Sequence, residues 1–194
     1  MNKKLATILA GSAALVLTLS GCGDERDEKA AQWVKTYCGA LRTQNATIDD
    51  ANKALARISE GEKSPEEIKE TDVKAFQDLS VAFKALSDAL RKAGAPPVED
   101  GAKLQKNATG ALDRLSTSYS DLKQQAEQLN TEDQAEFADG LQDITDDMKE
   151  VPKQFEAVEK ALGELREGDL KSAMTEEEGC RKVSSSPSAS ASAA

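Results

Sequence analysis

The chain contains no histidine, and among its 194 residues there are only three cysteines, five prolines, one Trp, two Tyr and four Phe. Without an imidazole there is no Ser-His-Asp triad, no Cys-His pair, no HExxH zinc site and no Glu-x-x-His di-iron site. No catalytic residue, metal site or cofactor is assigned, and a non-enzymatic protein is expected. Basic residues are in deficit as well, 25 Lys and Arg against 35 Asp and Glu, for a net charge of −10 and a pI near 4.7. Such a surface repels phosphates, which excludes nucleic acid as a partner.

Long apolar runs are also missing, with one exception. Residues 5–19 carry no charge and follow the cationic Lys3 and Lys4. A 15-residue helix spans roughly 22 Å, short of the about 30 Å of a hydrocarbon core, so residues 1–21 read as a cleavable signal peptide. The segment ends in Leu19-Ser20-Gly21-Cys22, which resembles the lipobox of bacterial lipoproteins. The resemblance implies cleavage before Cys22 and a diacylglycerol on its sulfur. Residues 22–28 would then be a lipid-anchored linker. Loss of Lys3 and Lys4 with the signal leaves the mature chain more acidic still, so acyl chains rather than protein charge must hold it at the membrane.

Lipidation of Cys22 leaves Cys38 and Cys180 as an even pair in an oxidising compartment, where a disulfide between them is expected. It would pin the segment before Cys180 across the membrane-proximal end of the body, over Trp33.

Strand signals are sparse, and apolar residues recur at spacings of three and four in four stripes. The first runs from Val34 through Tyr37, Leu41, Ile48, Ala51 and Leu55 to Ile58, with Gln44 filling one apolar slot. The second runs from Val73 through Phe76 and Phe83 to Leu90, and the third from Leu104 through Leu112 and Tyr119 to Leu129. The fourth runs from Phe137 through Ile144, Val151 and Phe155 to Leu165. Spacings averaging about 3.5 residues predict left-handed, coiled-coil-like packing. The fold expected over 29–183 is therefore an all-α, up-down-up-down four-helix bundle with a disulfide-pinned C-terminal segment.

Punctuation agrees with that count. Ser64-Pro65-Glu66-Glu67 and Thr131-Glu132-Asp133-Gln134 read as capping boxes, and Gly94-Ala95-Pro96-Pro97 ends the second helix. Pro152 lies inside the fourth stripe without disturbing its phase, which predicts one kinked helix, with two helices meeting at Val151 as the alternative. The last stretch, 184–194, contains only Ser, Ala and one Pro and reads as a disordered tail.

Six of the aromatics fall on stripe positions and are accounted for by packing; Trp33 falls one residue off and is expected to pack in the core or as a staple. Asp143, Asp146, Asp147 and Glu150, and the run Glu176-Glu177-Glu178, lack the spacing of a calcium loop and read as solvated faces. Gln44 with Asn45 is the polar interruption that either sets helix register, stays exposed, or lines a mid-bundle pocket.

With its lipobox, a helical body opening at Trp33-Val34-Lys35-Thr36-Tyr37-Cys38, a distant Gly179-Cys180 and a Ser/Ala tail, the chain resembles the small secreted lipoproteins of actinobacteria. That likeness implies an extracytoplasmic location on the cell membrane. The expected activity is binding of a protein or envelope component by a monomeric acidic bundle, the alternative being a small-ligand-binding or sensory bundle with its pocket at Gln44.

Overall fold

The computed structural model describes residues 22–167 and 170–184, with side chains from 25 to 181. The expected signal peptide, 1–21, and residues 185–194 of the tail lie outside them. Every regular element described is helical: α1 (Cys22–Ala56), a 3₁₀ turn (Arg57–Ser59), α2 (Pro65–Ala93), α3 (Gly101–Gln128), α4 (Gln134–Met148), α5 (Val151–Leu165), α6 (Leu170–Glu176) and α7 (Glu178–Ser184). No described helix is long and apolar enough to cross a membrane.

Helix ends follow from local chemistry. Ser64 accepts a hydrogen bond from the Glu67 N–H while the Glu67 carboxylate accepts from the Ser64 N–H, the reciprocal box expected, with Pro65 at the first helical position. The second box is displaced: Asp133, not Thr131, caps α4, its carboxylate accepting from the Ala135 and Glu136 N–H groups at 2.9 and 3.0 Å. A carboxylate can serve both donors, and Asn130 holds the approach by accepting from the Glu132 N–H.

Two expected segments differ. Residues 22–28, read as a linker, form the first turns of α1; Ser184, assigned to the tail, closes α7. The fourth stripe is two helices rather than one kinked helix. Pro152 cannot donate to the Met148 carbonyl, and the chain before it tightens, with the N–H groups of Lys149 and Glu150 donating three residues back, to Asp146 and Asp147. Lys149 and Glu150 keep right-handed helical dihedrals. That is why the apolar phase survives the break: Ile144, Val151 and Val158 are all buried.

The packing of α2 on α3 is the most extensive, followed by α1 on α2; α3 also carries α5 and α4. Direction is read from the polar contacts. Ser80 and Ser116 each donate to the other's carbonyl at 2.9 Å, Ser87 donates to the Thr109 carbonyl and Gln105 to that of Leu90, so α2 ascends as α3 descends. Small side chains at these positions let two backbones approach while every hydroxyl finds an acceptor. In the centre, Phe83 stacks on Tyr119 and meets Phe155 edge-on, at centroid distances of 5.7 and 5.5 Å.

The chain end closes on its beginning. Cys38 and Cys180 form the expected disulfide, with 5.0 Å between Cα atoms across a sequence separation of 142. Helices α6 and α7 both pack on α1, burying Leu170 and Met174. At the contact the two backbones nearly touch: a Cβ on Gly179 would stand 2.3 Å from the Cys38 carbonyl oxygen. Backbone cannot swing aside as a long side chain can. Gly179→Ala is expected to lower stability by about 1–3 kcal/mol by forcing α7 off α1, read as a drop in melting temperature; an unchanged melt would show that α7 tolerates displacement. Closing so long a loop is worth up to about 5 kcal/mol on the chain-entropy argument. Denatured, unreduced Cys22→Ser protein should accordingly expose no reactive thiol and melt lower after reduction, whereas two titratable thiols per chain would show the bond open.

Candidate functional site

The residues singled out in the sequence fall in three places. Cys22 is the first residue of α1. Around the disulfide, Tyr37 and Cys38 are fully buried, and Trp33 is 3% exposed. Trp33 is tied to the α2 end, its indole N–H donating to the Gly94 carbonyl at 2.8 Å, while its ring lies 5.4 Å from that of Tyr37. The indole therefore anchors α1 to the α2–α3 connection. The Tyr37 hydroxyl finds no hydrogen bond of ordinary geometry; burial pushes it up to about 12 against the nearby positive charge of Arg166. That proximity places the end of α5 beside the N-terminal half of α1.

Gln44 and Asn45, the third place, are half-buried on α1. A half-exposed amide keeps its water partners and needs no protein acceptor. Two recesses on the surface lie elsewhere: one is lined by Glu25, Glu28, Lys29, Gln32, Lys35 and Glu177, another by Glu66, Lys69, Glu70, Val73, Glu127 and Thr131. Both are wide, shallow and mixed in charge. Among the described residues no group of three or more His, Cys, Asp or Glu side chains is placed to hold a metal ion.

What the helices do assemble is an uneven charge distribution. The antiparallel pairs place 43–83 and 115–157 at the end away from Cys22, since Ser80 meets Ser116 and the Lys69 ammonium donates to the Leu129 carbonyl at 2.8 Å. By sequence those two stretches carry 20 acidic and 8 basic residues, whereas 22–42, 84–114 and 158–184 together carry 15 of each sign. The negative excess of residues 22–184 thus belongs to one end. Helix α4 has no basic residue, and Glu136, Asp139, Asp143, Asp146 and Asp147 are all exposed on it. Lys149 bonds Asp146 at 2.5 Å and Gln125 bonds Asp147 at 2.6 Å; Asp139 and Asp143 form no ion pair within the described residues.

One acid of that end escaped sequence reading. Asp72, beside the Val73 expected in the core, is 6% exposed, while Val73 is half-buried. The stripe has drifted by one residue, the slip that a 3.5-residue period makes easy on a helix of 3.6. No family model, curated protein or solved structure matches the chain.

Burial raises the Asp72 carboxyl from its ordinary 3.8 to about 6. Between those values the folded protein holds a proton that the unfolded chain has released, so this group's contribution to stability falls as pH rises from 4 to 6. At pH 7 the deficit reaches up to about 3 kcal/mol. Asp72→Asn is expected to stabilise the protein at pH 7 and to have far less effect at pH 4, measured as the difference between variant and parent urea midpoints; a difference independent of pH would remove Asp72 as its source.

Proposed function

We propose that the protein is a lipoprotein anchored through Cys22 to the extracytoplasmic face of a bacterial cell membrane, where it binds a protein or envelope component without catalysing a reaction. The observation that carries this reading is the charge distribution: the acidic excess is gathered at the end of the helices farthest from Cys22. The disulfide supports export, because such bonds persist in oxidising compartments.

The four long apolar stripes are proposed to form an up-down-up-down bundle with left-handed packing, as a monomer. Its support is the antiparallel run of contacts from α2 to α3, the approach of Tyr37 to Arg166, and the shared apolar phase of α4 and α5. A net negative body disfavours self-association. The partner that suits the acidic end is cationic, and such an encounter would be fast and salt-dependent.

Cys22→Ser should move the protein from the membrane fraction to the medium or the soluble fraction, and mass spectrometry of the native N-terminus should find a diacylglyceryl thioether. An unmodified Cys22 in the native protein would falsify the anchor. Partner binding, read by crosslinking in native membranes, should weaken at least tenfold in Asp139→Lys with Asp143→Lys and stay unchanged in Glu159→Lys with Glu167→Lys.

A further inference from the structure

The expected flexible linker after Cys22 is helix. Helix α1 runs from Cys22 to Ala56, 35 residues, or roughly 50 Å of unbroken rod at 1.5 Å per residue. Its first turns are tied sideways, the Arg26 guanidinium donating to the Pro97 carbonyl at 3.2 Å and Trp33 to that of Gly94 at 2.8 Å. The α2–α3 connection therefore shares the level of the anchor, and α6 and α7 brace α1 further along. An acyl chain on Cys22 would join this body with no slack.

Charge follows the same axis. The end at Cys22 is balanced, with 15 residues of each sign, and the opposite end holds 20 acidic against 8 basic. A balanced end meets an anionic lipid surface at little electrostatic cost. The acidic end does not: once within a Debye length of about 8 Å at physiological salt, its unpaired carboxylates, Asp139 and Asp143 among them, face an unscreened like charge. Screening leaves the upright arrangement almost free of repulsion and penalises the one in which the rod lies flat.

We infer that the protein stands upright on an anionic membrane, its balanced end against the headgroups and its acidic end held roughly 50 Å away, by the combination of a linker-free helix and like-charge repulsion at the far end. This rests on the proposed anchoring at Cys22. It deepens that reading by saying how the binding end is presented: outward, to a partner that need not touch the membrane.

The test uses the full native lipoprotein in vesicles, with a donor dye on a Cys introduced at the exposed Ser59 and acceptor dyes in the headgroups. On vesicles of phosphatidylcholine with about one third phosphatidylglycerol at low salt, energy transfer should report a separation near 50 Å. On pure phosphatidylcholine, or in high salt, the mean separation should shorten. Asp49→Lys, Glu132→Lys, Asp139→Lys and Asp143→Lys together should at least halve it on the anionic vesicles. The same charge change made at the base, Glu28→Lys, Glu159→Lys, Glu167→Lys and Glu176→Lys, should leave it unchanged. A short separation for the native chain on every lipid, or equal responses of the two variants, overturns the inference even if anchoring holds. Failure of the native protein to associate with vesicles at all overturns both the inference and the anchor. The lipid and salt arms use the unaltered surface, so misfolding of a charge variant cannot mask the answer.

Discussion

The closure of the C-terminal turn onto α1 is the contact on which the rest of the helical body leans. Helix α1 packs extensively on α2 and on the pair α6–α7; among the described residues neither α4 nor α5 covers it to a comparable extent. The side of its N-terminal half not taken by α2 is therefore sealed mainly by residues 170–184, with Arg166 at the end of α5 beside Tyr37. That seal is covalent at Cys38–Cys180, steric at Gly179 and apolar at Leu170 and Met174. Each part serves the others. Only a glycine lets the two backbones come close enough for a short disulfide, and the bond then holds a segment of two seven-residue helices too short to be stable by themselves. Beneath it the Tyr37 hydroxyl is buried with the Arg166 guanidinium as its polar neighbour.

Away from that closure the structure relaxes. On α1, Val34, Tyr37, Cys38 and Leu41 are buried, but farther along Ile48 and Leu55, like Ile58 in the turn that follows, are only half-covered and Ala51 alone is buried. Helix α4 repeats the pattern, with Phe137 and Ile144 buried and Leu141 and Met148 half-exposed. Both of these half-covered stretches lie at the acidic end. Like charges at helix spacings destabilise by a few tenths of a kcal/mol per pair, and Asp72 adds a buried carboxyl there. Looseness at the acidic end is thus confined to α1 and α4, while α2 and α3 stay closely packed there through Phe76, Leu79, Leu122 and Ala126. That arrangement suits the proposed body, held at its base and engaged at its tip.

The helical class, the connections and the disulfide were legible in the sequence because each is encoded locally or by elimination. Period and turn chemistry mark the helices, and setting Cys22 aside for the expected lipidation leaves one pairing. The departures have equally definite causes. Pro152 kept the apolar phase, so the stripe could not reveal that the hydrogen-bond ladder breaks; the break lies in the tightened bonds to Asp146 and Asp147. Thr131 and Asp133 are both good caps, and a choice between them rests on where Asn130 turns the chain. Trp33, one residue off its stripe, packs in the core as expected and also answers to a carbonyl 61 residues away. Val73 and Asp72 exchanged roles for the same reason that heptad patterns drift: adjacent residues are only 100° apart on a helix, and the partner helix decides which is covered. Gln44, which could set register, stay exposed or line a pocket, is half-buried on α1.

The charge asymmetry was the feature most plainly written in the sequence and the least readable there, because it exists only once the hairpins are formed. Along the chain, acidic and basic stretches alternate, and α1 and α2 each contain both kinds. Antiparallel pairing superposes 43–83 on 115–157 and brings the negative stretches of separate helices to one end. Composition alone suggests a body uniformly repelled by an anionic surface. The folded arrangement replaces that uniform repulsion with a direction, since a balanced base can approach lipid while the tip cannot. In the proposed upright arrangement the tip lies beyond a Debye length of the membrane, and its negative field is directed to whatever approaches from the other side. A cation arriving there would relieve repulsion already built into the fold, whereas a cation at the balanced end would gain nothing comparable.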